Sequence, residues 1–351
     1  MMYNIIKNID YDQFKISVIT LIPEKKNTRI DDFRKLGIEI VQLAEDKCKN
    51  LVLLYFSLGK KLKEISPNVL HAHCPRSLIL VHFLSRRKYR YKKIYTAHVY
   101  PGVQQKALYG PLKGAIITWL WNFFMMRTDL PIACSRSVSQ QYKEKHGWEI
   151  TSIPNGCSMP VWKRTIGEKK EMRKKLGLED NMFYYIFIGR FSQEKNPEFL
   201  IKSFSKINDP LSCLIMLGDG PLFPVLKKYE SKTIKLYGFK NNVRDYLIAS
   251  DYYVSASEAE GLANTLLESM SVGLPMILSD IPSHNEILKS TLNNVGILFS
   301  NNDHDSLIEA IEKMRVWDIE ETAKNIQSSF GENYTAQRMS ELYQKAYNEL
   351  I

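Results

Sequence analysis

Short runs of apolar, β-branched and aromatic residues recur along the whole chain, and stretches with helical periodicity lie between them. The candidate strands of the first half are FKISVITLI, IEIVQL, NVLHAH, KIYTAH, LPIACS and EITSIPNG, and those of the second half are YYIFIGR, SCLIMLGDG, IKLYGF, DYYVSAS, MILSD and VGILFS. Apolar strands that alternate with helices are typical of parallel, doubly wound sheets. The pattern therefore predicts an α/β protein with two Rossmann-like domains.

The polar, basic segment WKRTIGEKKEMRKKLG, residues 162–177, predicts the join between the domains. We expect a first domain over residues 1–162, a second over 163–332 and a last helix over 333–351. That helix is amphipathic, with apolar residues along one side: Met339, Leu342, Tyr343, Ala346 and Leu350. Ligands of such folds bind beyond the carboxyl ends of the strands, so the predicted site lies in a cleft between the two domains.

Composition is that of a globular protein, with 44% apolar and 25% charged residues in 351. No run of the sequence reaches the roughly 20 apolar residues of a membrane span. The start, MMYNIIKNIDYDQFK, has no long apolar region of a secretory signal. The five cysteines are odd in number and form no C-x-x-C pair, which favours a reducing cytoplasm over a disulfide framework or a zinc site.

Positive charge is concentrated in the first 150 residues, which hold 25 Lys and Arg against 12 Asp and Glu. The densest run is RRKYRYKK, Arg86 to Lys93. A solvated loop and an anionic membrane surface are equally good interpretations of this run. Nucleic acid is disfavoured because no recognised binding motif accompanies the charge. The protein is therefore expected in the cytoplasm, with peripheral attachment to the inner face of the plasma membrane as an open alternative.

The apolar segment GAIITWLWNFFMM, residues 114–126, allows two interpretations. It is too short to span a bilayer. It is either a buried helix or an interfacial helix whose aromatic residues enter lipid, namely Trp119, Trp121, Phe123 and Phe124.

A strand–turn–helix unit, SEAEGLANTLLESM, carries the clearest candidate chemistry. The backbone N–H groups that follow Gly261, at Leu262, Ala263 and Asn264, would hold a phosphate at the start of the helix. We expect Asn264 or Thr265 to cap that helix. Carboxylates repel phosphate, so Glu260 and Glu268 are expected to bind hydroxyl groups, and a nucleotide sugar offers a diphosphate together with two sets of hydroxyls. The plainer alternative is that both acids only satisfy the helix dipole.

The segment EGLANTLLESMSVGLP resembles the E-x7-E signature of glycosyltransferase family 4, whose members are retaining enzymes with the GT-B fold. Other family segments are resembled, in order along about 200 residues, by SIPNG, FIGRFSQEKNPEFLI, LGDGP, LYGF and LSDIPSHNEIL. Several ordered motifs make a specific signal, whereas any one of them alone would be weak.

The resemblance implies a role for each matching residue. Gly189 and Arg190 begin the basic segment, and Arg190 with Lys195 would neutralise the donor diphosphate. Glu268 would bind the ribose and Glu260 the donor sugar. Near the base we expect Gly238 and Phe239. His98, at the end of KIYTAH, resembles the active-site histidine on the acceptor side.

His71 and His73 lie on one face of a strand, and without a nearby acid or cysteine we interpret them as structural, with His73 lining the cleft. The D-x-D strings at Asp10–Asp12 and Asp303–Asp305 are interpreted as chance, so no metal and no cofactor besides the donor is expected. The resemblance also implies that the last helix, residues 333–351, crosses back to the first domain. One departure from the family pattern is the missing first strand and Gly-rich loop, since the sequence opens inside what resembles the first helix.

The resulting hypothesis is a retaining glycosyltransferase that moves a sugar from a nucleotide-diphosphate sugar to a glycan or polyprenyl-linked acceptor. Assembly of a surface polysaccharide, such as O-antigen or capsule, is the expected setting. Two alternatives stay open: a nucleotide-sugar epimerase of the same fold, and a non-catalytic, transferase-like partner subunit.

Overall fold

The computed structural model describes residues 1–23, 29–44, 50–84, 91–102, 105, 109–290 and 294–351. It divides into two compact units. Unit 1 comprises Met1–Gly156 and Ala336–Ile351, and unit 2 comprises Cys157–Thr335. The join therefore lies at residues 156 and 157 rather than after residue 162. Much of the basic segment expected to link the domains is a helix of unit 2.

Unit 1 begins with helix α1 (Met2–Lys7) and ends with helix α15 (Ala336–Asn348). The helices between them that the structure describes in full are α2 (Ile30–Arg34), α3 (Leu51–Ile65), α4 (Pro75–Phe83), α5 (Pro111–Met125) and α6 (Arg136–His146). The strands are β1 (Ser17–Thr20), β2 (Glu39–Gln42), β3 (Val69–Ala72), β4 (Lys92–Ala97), β5 (Leu130–Ala133) and β6 (Thr151–Ser152).

The described strands of unit 1 form two parallel sheets, β1-β2 and β3-β4-β5-β6. Side chains alternate between the faces of the larger sheet, so both faces are buried. In β4, Tyr95 packs with α6, while Ile94 packs with Met339 and Tyr343 of α15. Helix α15 thus covers one face of the four-stranded sheet.

Unit 2 contains helices α7 (Ile166–Leu176), α8 (Pro197–Phe204), α9 (Phe223–Leu226), α10 (Val243–Ala249), α11 (Asn264–Ser271), α12 (Pro282–Lys289), α13 (His304–Met314) and α14 (Ile319–Asn333). Its strands are β7 (Phe183–Ile188), β8 (Ser212–Leu217), β9 (Ile234–Gly238), β10 (Tyr252–Ser255), β11 (Met276–Ser279) and β12 (Gly296–Phe299).

One six-stranded parallel sheet, in the order β12-β11-β10-β7-β8-β9, organises unit 2. In β7, Tyr184, Ile186 and Ile188 pack into one core, and Tyr185 and Phe187 into the other. A sheet buried on both faces explains why its strands read as continuous apolar runs. The doubly wound architecture predicted from the sequence is confirmed in unit 2.

Local signals explain why the basic segment after residue 162 is helical. Thr165 and Glu168 form a capping box at the start of α7, and Gly177 ends the helix with a φ of 66°. Arg173 is buried and donates to Asp251, which lies after α10. The lysines of α7 gave this segment the composition of a linker, but its ends carry the signals of a helix.

Helix α5 decides between the two interpretations of the apolar segment. Only Gly114, Asn122 and Met125 of this helix are buried, and the Trp119 side chain is 62% exposed. The buried-helix interpretation is therefore wrong for the outer face, although Trp121 and Phe124 pack against the core. Within the described ranges, no helix combines the length and hydropathy that a membrane crossing requires. Most of the basic run, residues 86–90, lies outside the described residues.

Candidate active site

Sheet order brings the predicted donor-binding loops of unit 2 together. Strand β10 pairs with β7, and β7 pairs with β8. All strands are parallel, so the loops that follow them leave the same edge of the sheet. The loop after β7 carries Arg190 and Lys195, and the loop after β10 carries Glu260.

Lys195 and Glu260 form an ion pair between these two loops. The Lys195 side chain is 22% exposed and the Glu260 side chain 11% exposed, so solvent screens the pair only partly. The loops are also joined by their backbones, because the Glu258 N–H donates to the Glu194 carbonyl over 2.9 Å. The sequence predicted that these residues share a site, but it did not predict that they bind each other.

A hydrogen-bonded network connects Glu260 to Ser257, Ser279 and His284. The Ser257 hydroxyl donates to Glu260 Oε1 over 2.8 Å, and the Ser279 hydroxyl donates to the Ser257 carbonyl over 2.7 Å. His284 Nδ1 donates to the Ser279 carbonyl over 2.9 Å. Burial lowers the pKa of His284, so the imidazole is neutral at pH 7. The sequence analysis missed Ser257, Ser279 and His284, although VSASE, at the end of β10, carries two serines just before the acids.

Glycines allow the loops after β7 and β8 to pack against each other. A Cβ at Gly218, where φ is +135°, would lie 1.9 Å from the Gly189 carbonyl oxygen. A Cβ at Gly220 would lie 2.6 Å from the carbonyl oxygen of Phe191. The glycines of LGDGP are therefore required by close approach of the backbone that carries Arg190.

Helix α11 starts without a side-chain cap. Its N-cap residue is Ala263, so the expectation that Asn264 or Thr265 caps the helix is wrong. Gly261 and Leu262 are buried in the preceding turn, and Asn264 is exposed as the first helical residue. An anion bound here would accept hydrogen bonds from the first turn and would be favoured by the helix dipole.

Tyr253 of β10 interacts electrostatically with both acids of the E-x7-E segment. Burial, reinforced by the carboxylates of Glu260 and Glu268, raises the pKa of Tyr253 above its usual value. Its hydroxyl therefore stays protonated, and it hydrogen-bonds the Thr265 hydroxyl over 3.1 Å. Glu268 also contributes to the raised pKa of the buried Cys157 thiol, about 12, which burial mainly causes. Glu268 thus lies one turn into α11, close to the residues that begin unit 2.

Arg190 and Phe239, like Asn264, are exposed members of the predicted set. Arg190 follows Gly189 at the carboxyl end of β7, and Phe239 follows Gly238 at the end of β9. The Phe239 side chain is 64% exposed, while the Gly238 carbonyl accepts from the Gly218 N–H over 2.9 Å. An exposed cation and an exposed aromatic ring at one sheet edge suit an anionic group and a planar base.

His98 lies in unit 1, directly after β4. Its Nε2 lies 3.4 Å from His73 Nδ1, and the two rings are stacked with centroids 5.6 Å apart. Burial lowers the pKa of His98 to about 4, so the ring is neutral at pH 7. His71 has a pKa lowered to about 3 for the same reason.

The metal interpretations find no support in the described part of the chain. There, no group of three His, Cys, Asp or Glu side chains is arranged to hold a metal ion. Asp303 instead caps α13 by accepting from the N–H groups of Asp305 and Ser306. Asp10 accepts from the Asp12 N–H in a local turn. The four cysteines within the described ranges are free thiols.

Two family models match consecutive parts of the chain. Residues 2–159 match Glycosyltransferase Family 4, and residues 168–328 match Glycosyl transferases group 1. Among curated proteins, the chain is 28% identical over 287 residues to the UDP-Gal:alpha-D-GlcNAc-diphosphoundecaprenol alpha-1,3-galactosyltransferase of Escherichia coli, covering 76% of this chain and 72% of that protein. It is 26% identical over 314 residues to the alpha-monoglucosyldiacylglycerol synthase of Acholeplasma laidlawii, covering 82% and 77%.

A solved structure shares the fold. The chain superposes with a TM-score of 0.78 on Anabaena HepE in complex with UDP and glucose, at 17% identity, covering 99% of this chain and 94% of that one. The predicted fold class, α/β with two Rossmann-like domains, is thereby confirmed.

Proposed function

We propose a reaction for this chain from the premise that it belongs to glycosyltransferase family 4, a family of GT-B fold whose two models together span residues 2–328. The chain is a nucleotide-sugar-dependent glycosyltransferase. The donor is a nucleotide-diphosphate sugar, the acceptor is a lipid-linked glycan, and the product belongs to cell-surface polysaccharide synthesis.

The observation that carries the donor assignment is the pairing of Lys195 with Glu260 at the carboxyl edge of the sheet. In the absence of donor each side chain neutralises the other. A bound diphosphate would compete for Lys195, and the released Glu260 carboxylate would accept hydrogen bonds from sugar hydroxyls. Arg190 and the uncapped first turn of α11 supply further positive potential for the diphosphate.

We assign the remaining roles by the chemistry of each group. Glu268 accepts hydrogen bonds from the ribose diol, and Phe239 with Gly238 lies beside the base. Bond cleavage transfers the electron pair of the sugar–oxygen bond to the diphosphate, whose charge Lys195 and Arg190 stabilise without a metal ion. The acceptor hydroxyl oxygen then bonds to the sugar carbon on the face that the diphosphate leaves, with retention of configuration, and its proton passes to the departing diphosphate. His98, a neutral ring, contacts the donor sugar on the acceptor side.

A lipid-linked acceptor is supported by two kinds of observation. The names of the two relatives described above each include a lipid: diphosphoundecaprenol in one and diacylglycerol in the other. Unit 1 also exposes large apolar side chains on neighbouring helices α3, α4 and α5: Val52, Leu53, Phe56, Phe83, Leu112, Ile116 and Trp119. Together with the excess of basic residues, this surface suits the anionic inner face of the plasma membrane.

The donor assignment is tested by measuring release of nucleoside diphosphate from a panel of nucleotide sugars, with UDP-galactose and UDP-glucose first. We expect turnover with at least one donor in the presence of a polyprenyl-diphosphate-linked sugar. Conversion of the donor sugar without any acceptor would identify an epimerase instead. Absence of turnover together with absence of donor binding by calorimetry would contradict the proposal.

The membrane assignment is tested separately by co-sedimentation with vesicles. Wild type should bind vesicles that contain phosphatidylglycerol and should bind pure phosphatidylcholine weakly. Replacing Ile116 and Trp119 with serine should reduce binding several-fold, because two exposed apolar side chains are lost. Val316→Ser, at an 86% exposed position of unit 2, is the matched control. Equal binding by all three proteins would exclude this surface.

A further inference from the structure

His98 stands at one end of a chain of hydrogen bonds and ring contacts that reaches the C-terminal helix. Tyr347 of α15 contacts His71 Nδ1 through its hydroxyl over 2.9 Å. His71 Nε2 lies 2.8 Å from the Thr96 hydroxyl, which in turn lies 2.9 Å from the Tyr343 hydroxyl. All of these residues belong to unit 1.

The contacts of His71 hold it in one place whichever nitrogen carries its proton. If Tyr347 donates to Nδ1, then Nε2 donates to Thr96, and Thr96 donates to Tyr343. The reverse order satisfies every group equally. Thr96 and Tyr343 are fully buried, so a broken link would leave a polar group without water or partner. This cost keeps the His71 ring fixed in both position and plane.

His71 in turn fixes the plane of His73. The two rings have centroids 4.0 Å apart, because alternate residues of β3 and its continuation lie on one face. His73 presents Nδ1 to His98 Nε2 over 3.4 Å. Because Nε2 of His98 faces His73, Nδ1 of His98 is the ring nitrogen that can contact a substrate hydroxyl. Hydrogen bonds of this length in ligand-free enzymes shorten when substrate binds.

We infer that His73 is a positioning residue that sets the orientation and tautomer of His98, and that Tyr347 and His71 hold the His73 ring in place from helix α15. This inference rests on the proposed contact of His98 with the donor sugar. It adds that the C-terminal helix, through Tyr347 and His71, holds the His73 ring against which His98 is oriented. The sequence analysis interpreted His71 and His73 as structural, with His73 lining the cleft, and the inference gives both a part in positioning His98.

Kinetics with His73→Ala and His73→Asn test the inference. The alanine variant should lower kcat about 10- to 100-fold, with little change in the donor KM, because a misplaced ring weakens an interaction of the transition state. Asparagine places an amide group near the former Nδ1 and should recover most of the loss. Equal kcat for wild type and His73→Ala would overturn the inference.

A spectroscopic readout separates positioning from general destabilisation. In protein labelled with ¹⁵N-histidine, His98 should show one neutral tautomer in wild type and an average of two in His73→Ala. Tyr347→Phe should produce a smaller change of the same kind. Tyr142→Phe removes a buried hydroxyl of unit 1 that bonds Asn122, and it should leave the His98 signals unchanged.

The His98→Ala variant separates a failure of the proposed function from a failure of the positioning inference. If this variant keeps full activity, the proposed role of His98 fails, whatever His73 does. If His98→Ala is inactive while His73→Ala has wild-type kcat and an unchanged His98 tautomer, the proposed function stands and the positioning inference is wrong.

Discussion

The candidate site of unit 2 joins opposite charges, whereas the histidine cluster of unit 1 joins neutral rings. Lys195 and Glu260 keep a partly buried ion pair in reach of helix α11. His71 and His98 have pKa values lowered to about 3 and about 4, so neither ring is charged at pH 7. A cation and a helix N-terminus suit a diphosphate, and a neutral ring suits an uncharged hydroxyl. Under the proposed function, unit 2 binds the charged end of the donor and unit 1 binds uncharged hydroxyl groups.

Replacement of Lys195 by alanine should have the largest effect, because it removes a cation from the leaving diphosphate. We expect kcat to fall about 100- to 1000-fold. Release of nucleoside diphosphate is the measurement. Lys202→Ala removes an exposed lysine that pairs with Glu198 within α8, and it serves as the control. If Lys195→Ala keeps at least about one third of the activity of the control, Lys195 does not contribute to catalysis.

Gly218→Ala should disrupt the packing that holds the Arg190 loop. The added Cβ would overlap the Gly189 carbonyl, and φ of +135° is strained for alanine. We expect a loss of about 2–3 kcal/mol in the free energy of unfolding, measured with urea. Gly331→Ala is the matched control, since nothing lies within 4 Å of its Cβ inside α14. That variant should gain up to about 1 kcal/mol, and equal stabilities would refute the packing argument.

Ser257→Ala should weaken the charged site without destroying it. The substitution removes the 2.8 Å hydrogen bond to Glu260 Oε1. A hydrogen bond to a charged group contributes about 1.5–3 kcal/mol, so kcat/KM should fall about 10- to 100-fold. Ser231→Ala, whose exposed hydroxyl contacts Thr233, provides the comparison. An unchanged kcat/KM would show that Glu260 holds its position without Ser257.

Acid should affect unit 1 through its neutral histidines. Their folded pKa values lie below the ordinary 6.5, so between pH 6.5 and about 4 the unfolded chain binds protons that the folded chain does not. Stability is therefore complete above pH 6.5 and falls as the pH drops, by about 1 kcal/mol per pH unit for each histidine. Urea denaturation at pH 7 and pH 5 should show a smaller difference in His73→Asn than in wild type. An equal difference would mean that His73 titrates normally.

Local sequence predicted most of the fold. Each of the twelve strands in the described part of the chain begins or ends within a quoted apolar run, because a strand buried on both faces needs consecutive apolar residues. The join was misplaced because α7 is rich in lysine and resembles a linker. The contact that anchors α7, from Arg173 to Asp251, links residues far apart in sequence. Composition within a window cannot reveal such a partner.

The sequence predicted which residues form the candidate site, but it did not predict the contacts between them. Motif spacing brought Lys195 and Glu260 to one sheet edge, but the direct pair depends on how two loops pack over glycines. Tyr347 and His71 meet only because α15 returns to the sheet of unit 1. Alternation on β3 showed that His71 and His73 share a face, and nothing in the sequence near them indicates what covers it.

The chain leaves unit 1 after Gly156 and re-enters it at Ala336, and these two points are neighbours. Cys157 and Thr335 form an isolated parallel β-bridge, and the Cys157 N–H donates to the Tyr334 carbonyl over 2.9 Å. On the side of unit 1, the Gly156 N–H donates to Met339 Sδ over 3.1 Å. Residues 157–335 are therefore topologically an insertion with adjoining ends, and a module of this kind can be exchanged between related chains with only two splices. Under the proposed function, exchange of residues 157–335 between related chains would change the donor sugar while unit 1 keeps its own sequence.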